Sequence, residues 1–295
     1  MPPLAPSRSL DARVTCQMVR AGAYRWVMNP LVETLLAYKG AAILAWLALF
    51  FLAERLRPAA PQPAALGVGP GEAGALKRIA RNAGLWLANV GLSPLIVIPL
   101  SLFAAEHSLG WRPEAWGAWL GGWPQLLADL ILLDFLIYWW HRANHELPFL
   151  WRFHEVHHLD GFLDTTTAVR FHFGEVLLSA LARAVLIVLL DIPFVSIVVF
   201  ETVVLMASIF HHSNVKLPQG LERALSRLVI TPSIHWVHHH AVRRDTDSNY
   251  GTFFSFWDPL FGSRSSHPRG LDMAIGVERR AEKGFLALLV SPFRR

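Results

Sequence analysis

The chain has one cysteine, Cys16, in 295 residues. A single thiol excludes an intrachain disulfide framework, a thiolate zinc site and a cysteine-ligated iron–sulfur cluster. Lysine is also scarce: Lys39, Lys77, Lys216 and Lys283 are the only four among 27 basic residues, and this arginine bias points to a GC-rich bacterial gene. The chain has no glycine-rich dinucleotide fingerprint and no second cofactor motif, so redox chemistry here would need electrons from a separate protein. It also has no internal repeat. Charged residues make up 17% of the chain against 53% hydrophobic, a balance that indicates a membrane protein rather than one large or two small soluble domains. The net charge of +5 rests on arginines scattered beside apolar runs, which fits positive-inside topology and argues against nucleic-acid binding.

Apolar runs set the organisation. The first, over residues 35–53, stops at Glu54-Arg55-Leu56-Arg57-Pro58, and a Pro/Ala/Gly-rich linker follows over 59–74. A second run, 85–105, is preceded by Lys77, Arg78 and Arg81, and a third, 116–140, ends in Tyr138-Trp139-Trp140-His141-Arg142. The fourth, 176–210, would be about 50 Å long as one helix against a hydrocarbon core of about 30 Å. Asp191-Ile192-Pro193 in its middle therefore predicts a helical hairpin that returns both ends to one side. Arginines after Phe210 make that side the cytoplasm, at a bacterial inner membrane. The fold expected is all-α: a multi-pass transmembrane bundle of about three spans plus the hairpin, with a cytosolic histidine-rich metal-binding cap. Residues 1–27 lack the apolar core of a signal peptide, and Met28-Asn29-Pro30 resembles a natural start. The division expected is a disordered or non-native extension over 1–27, N-terminal spans and linker over 28–112, a catalytic region over 113–270 and a cytosolic tail over 271–295.

Twelve of the 14 histidines lie between His141 and His240. His141 and His145 are four apart; His154, His157 and His158 read i, i+3, i+4; His235, His238 and His239 repeat that triad; His212 stands between them. Each triad covers roughly 100° of helix circumference, so its three rings are expected to converge on one small volume. One ion is satisfied by three or four nitrogens, so these nine histidines imply two metals held by neutral imidazole. His172 is a candidate tenth ligand and His211 is intermediate, while His107, His240 and His267 are expected to stand apart. Asp134 shares a helical face with Tyr138 and His141, and its expected partner is a histidine N–H.

Two other readings of the histidines compete. His154-Glu155-Val156-His157-His158 matches H-E-x-x-H, the pattern of a membrane zinc metallopeptidase with Glu155 as general base. The surplus of further histidines weighs against it. Spacings of thirteen from His141 to His154 and from His145 to His158 could suit bis-histidine haem, but Pro148 interrupts that helix.

Taken in order, the motifs resemble the fatty acid hydroxylase/sterol desaturase superfamily of membrane di-iron enzymes. The resemblance rests on Asp134-Phe135, Tyr138-Trp139, His141-Arg142-x-x-His145, Leu150-Trp151-Arg152-Phe153-His154-x-x-His157-His158, Arg170-Phe171-His172 and His212-x-Asn214. It continues through Pro232-x-x-His235-x-x-His238-His239, Asn249-Tyr250-Gly251 and Trp257-Asp258-x-Leu260-Phe261-Gly262. Phe173 departs from the usual Arg-Phe-His-Pro, which weakens the case for His172. The resemblance implies two non-haem irons, replaceable by zinc on overexpression, with O2 as co-substrate. It also implies hydroxylation or desaturation of a fatty acyl, sterol or related lipid, and an electron donor that is a separate reductase, ferredoxin or cytochrome. Asp134, Tyr138 and Asn214 are the residues expected to support the ligands from behind.

Overall fold

The computed structural model describes residues 30–64, 74–112 and 122–294, and among these it is helical, with isolated β-bridges and no strand. The expected extension over 1–27, most of the 59–74 linker and the start of the third apolar run lie outside the described residues. Four described helical stretches are long and apolar enough to cross a membrane: Ala37–Leu56, Ala75–Glu106, Phe173–Leu190 and Phe194–His212.

Helix α1 (Pro30–Leu56) is apolar and largely exposed, as a helix facing lipid should be. Its inner side meets the hairpin where Trp46 Nε1–H donates to the Met206 carbonyl at 2.9 Å and Phe50 packs edge-on to Phe210. Glu54, part of the apparent stop signal, turns inward: its Oε2 accepts the main-chain N–H groups of Thr165 and Asn214, both at 3.0 Å.

The second span begins ten residues before its apolar run. It comprises α2 (Ala75–Leu92), a π-helical turn (Ser93–Val97) and α3 (Ile98–Glu106). The early start follows from buried charge. Arg78 pairs with Asp160 at 3.0 Å and with Asp164, Arg81 pairs with Glu282, and Asn82 donates to Asp160. The π turn sits at Pro94, which has no N–H to continue the helical ladder.

Helix α4 (Trp123–Glu146), the expected third span, forms but is not among the four apolar stretches, because Asp129, Asp134 and its charged end lower its hydropathy. Both carboxylates are buried and answered: Asp129 by Arg112 at 2.7 Å and Ser196 at 2.7 Å, Asp134 by the segment after the last histidines. Pro148 then breaks the helix, and α5 (Pro148–His158) folds back against α4.

The hairpin forms as expected from α6 (Phe173–Leu190) and α7 (Phe194–His212). Asp191 closes α6 in the left-handed conformation at φ 53°, and Pro193 caps α7. Ala104, Leu133, Ala184, Ile187, Ile192, Ile197 and Phe200 from α3, α4 and the hairpin form the largest apolar core. Short helices complete the histidine-bearing end: α8 (Gln219–Leu225), α9 (Pro232–His238), α10 (Arg243–Thr246), α11 (Trp257–Leu260) and α12 (Phe285–Val290). Residues after 270 are packed in place, with Leu288 fully buried among Leu85, Val156 and Leu159.

Candidate metal centre

The nine histidines gather into two groups at the ends of α4, α5, α7 and α9. His141, His145, His154, His158 and His238 form one, and His157, His212, His235 and His239 the other; within each, one nitrogen per ring lies within 4.8 Å of all the rest. The groups touch, since His158 and His239 stack at 4.3 Å. The expectation that each triad converges on one volume is corrected. The i, i+4 pairs His154/His158 and His235/His239 stay together, while His157 and His238 cross to the opposite group. Helical geometry gives the reason: i+4 is displaced about 40° from i, whereas i+3 is displaced about 60° the other way.

Second partners fix the rings. His157 Nδ1 is 3.1 Å from the Arg170 carbonyl and His212 Nδ1 is 2.8 Å from that of Ser208. A carbonyl can only accept, so both Nδ1 atoms carry the proton and both Nε2 atoms present lone pairs. Those two Nε2 atoms lie 3.1 Å apart, with His212 to His235 at 3.0 Å and His235 to His239 at 3.1 Å. Facing lone pairs repel unless a cation lies between them. With metal–nitrogen bonds of about 2.0–2.1 Å, nitrogens 90° apart on one ion are separated by about 2.9–3.0 Å, and tetrahedral ones by about 3.3–3.4 Å. The observed spacings of 3.0–3.1 Å are those of nitrogens that could share one ion.

The first group is set the same way. Nδ1 of His141 donates to the Tyr250 carbonyl at 2.8 Å, that of His238 to the Ser248 carbonyl at 2.6 Å, and that of His154 to Glu175 Oε1 at 2.7 Å. Nε2 of His145, His154, His158 and His238 is buried without a hydrogen-bond partner. Orphaned imidazole nitrogens at this density fit metal ligation and are costly otherwise. Burial, with the charges of neighbouring rings, holds His157, His158, His235 and His239 well below the ordinary histidine range, and burial takes His238 to about 3. All five are therefore neutral and ready to bind a cation near neutral pH.

Several expected supporting residues act elsewhere. Asp134 meets no histidine; it accepts the N–H groups of Phe253 and Phe254 and Trp257 Nε1–H at 2.8 Å, fastening that segment to α4. Tyr138 shares a hydrogen bond with Ser263 at 2.8 Å. Asn214 bonds both main-chain atoms of Ala60 and so holds the linker. His172 joins neither group: its Nδ1 accepts from Gly174 N–H to cap α6, and its Nε2 lies 3.0 Å from the Leu289 carbonyl. His211 is buried against His235 but lies outside both groups. His240 and His267 stand apart and share Asp245 at 2.8 and 2.6 Å. Glu155 belongs to neither group; it faces a surface cleft, 3.5 Å from Arg280.

Sequence reasoning missed Glu175 and Asp258. Glu175 is a lone carboxylate opening an apolar run, and such a group demands a buried partner. Asp258 is fully buried and accepts the N–H groups of Tyr250 at 2.7 Å and Gly251 at 3.0 Å, which aims the Tyr250 carbonyl at His141. Gly251 is required there, since a Cβ would lie 2.7 Å from the Phe254 carbonyl oxygen and 2.9 Å from Asp258.

Two histidine cages closing one end of an apolar helical bundle define a membrane metalloprotein. Residues 126–263, the segment that carries all nine histidines, match the fatty acid hydroxylase family. That match, with the relatives that follow, supports the fatty acid hydroxylase/sterol desaturase superfamily. It is 33% identical to the ornithine lipid hydroxylase of Rhizobium tropici over 180 residues, 60% of this chain and 54% of that protein. An alkylglycerol monooxygenase of Danio rerio is 31% identical over 185 residues, 63% of this chain and 38% of that protein. A cholesterol 25-hydroxylase-like protein of Danio rerio is 32% identical over 162 residues, 52% and 62% of the two chains. The matched regions thus span between 38% and 62% of these relatives. No solved structure matches the chain.

Proposed function

We propose that the protein is an O2-dependent di-iron lipid hydroxylase, an oxidoreductase of monooxygenase type acting on a fatty acyl, sterol or related membrane lipid. The observation that carries this reading is the convergence of Nε2 lone pairs, above all those of His157 and His212 at 3.1 Å. His141, His145, His154, His158 and His238 hold one iron, and His157, His212, His235 and His239 the other; zinc can take their place on overexpression. When bound, the irons supply the reduction of O2 by two electrons and two protons, one oxygen atom entering a C–H bond and the other leaving as water.

The chain's own residues do the rest. Main-chain carbonyls keep His141, His157, His212 and His238 in the Nδ1–H tautomer, so Nε2 faces inward in each. Glu175 does the same for His154 and adds negative charge behind it, raising its basicity. Burial keeps bulk water from the cage. Phe253, Phe254, Phe256 and Trp257, in ring contact one after another, give the approach an aromatic wall suited to a hydrocarbon.

The names of the relatives, two hydroxylases and a monooxygenase, support hydroxylation over desaturation and a lipid that arrives from the bilayer. Glu155, the general base a peptidase would need, instead lies 3.5 Å from Arg280 at a surface cleft, which weighs against the peptidase reading. Electrons come from a separate reductase, ferredoxin or cytochrome. Arginines after the hairpin support a site on the cytoplasmic face of a bacterial inner membrane.

Membranes containing the protein, supplied with a reductant and 18O2, should convert a lipid to a product carrying one labelled oxygen. Label arriving from water, or turnover without O2, would refute the assignment. A lipid lighter by two hydrogens would change the reaction to desaturation.

A further inference from the structure

Beside the first histidine group lies a surface cleft of about 450 Å³, lined in part by Trp151, Glu155, Arg243, Arg279 and Arg280. Trp151 forms its inner wall. Its ring is 5.1 Å from that of His145 and 5.5 Å from that of His158, and on its other side the Arg243 guanidinium sits 4.4 Å from the ring centroid. One aromatic side chain therefore reaches from the cleft to the rings of a metal cage. Its rim presents three guanidinium groups more exposed than the carboxylates beside them: the side chains of Arg279, Arg280 and Arg243 are 91%, 48% and 45% exposed. Each has a carboxylate neighbour: Glu278, exposed beside Arg279; Glu155, buried beneath Arg280; and Asp247, half-buried 2.6 Å from Arg243.

We propose that this cleft is the docking face for an acidic one-electron carrier protein, and that Trp151 relays electrons from it to the first histidine group. The inference rests on the oxygenase reading, which requires two electrons per turnover from outside the chain. Guanidinium groups steer a carboxylate-rich partner by their field and hold it in a small, salt-sensitive interface of the kind redox partners use. Electron transfer falls steeply with gaps between atoms, and Trp151 replaces such a gap with ring-to-ring contact. Each encounter oxidises the carrier by one electron, two encounters supply the pair, and no bond to Trp151 is made or broken. A second basic cavity, about 320 Å³ between Arg223, Arg227 and Arg264, is lined by no histidine and serves as the control.

The test uses the full chain in lipid nanodiscs and an acidic plant-type [2Fe–2S] ferredoxin as probe. Arg279→Glu and Arg280→Glu should each weaken ferredoxin binding by about ten-fold or more at low salt and flatten its salt dependence. Arg227→Glu should leave binding unchanged. Trp151→Leu should slow ferredoxin-driven reduction of the metals by about ten-fold at unchanged affinity and metal content, and Trp151→Phe should keep most of the rate. Unchanged affinity in Arg279→Glu, an equal loss in Arg227→Glu, or an undiminished rate in Trp151→Leu would overturn the proposal. If the oxygenase reading itself fails, no 18O-labelled lipid forms even when protein pre-reduced with dithionite and freed of the excess is exposed to 18O2. If only the docking proposal fails, labelled lipid forms and Arg279→Glu supports the wild-type rate with ferredoxin.

Discussion

His157 and His212 point their Nε2 atoms at each other across 3.1 Å, while each donates its Nδ1–H to a main-chain carbonyl. Neither ring, while neutral, can supply a proton to the gap without breaking the bond behind it, so the pair suits a cation. From this the metal count follows. Purified protein should hold about two ions per chain by elemental analysis. His212→Ala should empty the second group and leave about one ion, as should His145→Ala for the first, and His267→Ala should leave two. A consistent count of one in the wild type would contradict two separate groups.

Glu175 lies 2.7 Å from His154 Nδ1, closer than Asp247 at 3.4 Å from His145 Nδ1. Glu175→Ala should weaken metal binding by about 10- to 100-fold, because the ring loses both orientation and basicity. Glu175→Gln, whose amide oxygen can still accept from Nδ1–H, should lose less. Chelator competition measures both; equal affinity in Glu175→Ala would assign the pair to packing alone.

Gly251 and Asp258 hold the Tyr250 carbonyl on His141. Gly251→Ala forces a Cβ to within 2.7 Å of a main-chain oxygen, so stability should fall by about 1–3 kcal/mol, as overpacking does. Thermal unfolding should show the lowered midpoint. Metal content should drop in the first group before the second, because the strain reaches His141 and not His212.

The metal-free protein should be sensitive to mild acid. Its buried histidines are held neutral, with His238 lowered to about 3 by burial, whereas in the unfolded chain each takes a proton below about pH 6.5. The unfolded state therefore binds more protons below that value. Stability is fully present above pH 6.5 and is lost as pH falls, the loss from His238 continuing down to about 3. The denaturation midpoint of chelated protein should fall steadily between about pH 7 and pH 5, and a flat profile would contradict neutral burial.

Glu155 sits in an H-E-x-x-H pattern yet faces the Arg280 cleft rather than either cage. Glu155→Gln should retain both metals and lipid turnover. Loss of all turnover with the metals in place would restore the hydrolytic role that the pattern suggests.

Much of the site was legible in the sequence because helical periodicity is local. The four-residue spacings alone put His141 with His145, His154 with His158 and His235 with His239, and the structure keeps each pair together. The hairpin was equally legible, since 35 apolar residues exceed a bilayer and Asp191-Ile192-Pro193 offers the turn. Other decisions depended on which helices meet. The i+3 spacing turns His157 and His238 away from their triads, but which rings of the other helices meet them there is a choice no spacing within α5 or α9 encodes. Asp134 shares a face with His141 in sequence, yet the returning segment from Phe253 to Trp257 reaches its carboxylate and no histidine does. Buried charges behave alike: Arg78, Arg81 and Glu54 look like membrane-flanking charges along the chain, but each has a partner more than 80 residues away. Sequence determined the kinds of ligand and their registers, because those follow from backbone geometry. Tertiary structure decided how they divide and what stands behind each ring, because a buried polar group takes whichever partner packing brings within reach.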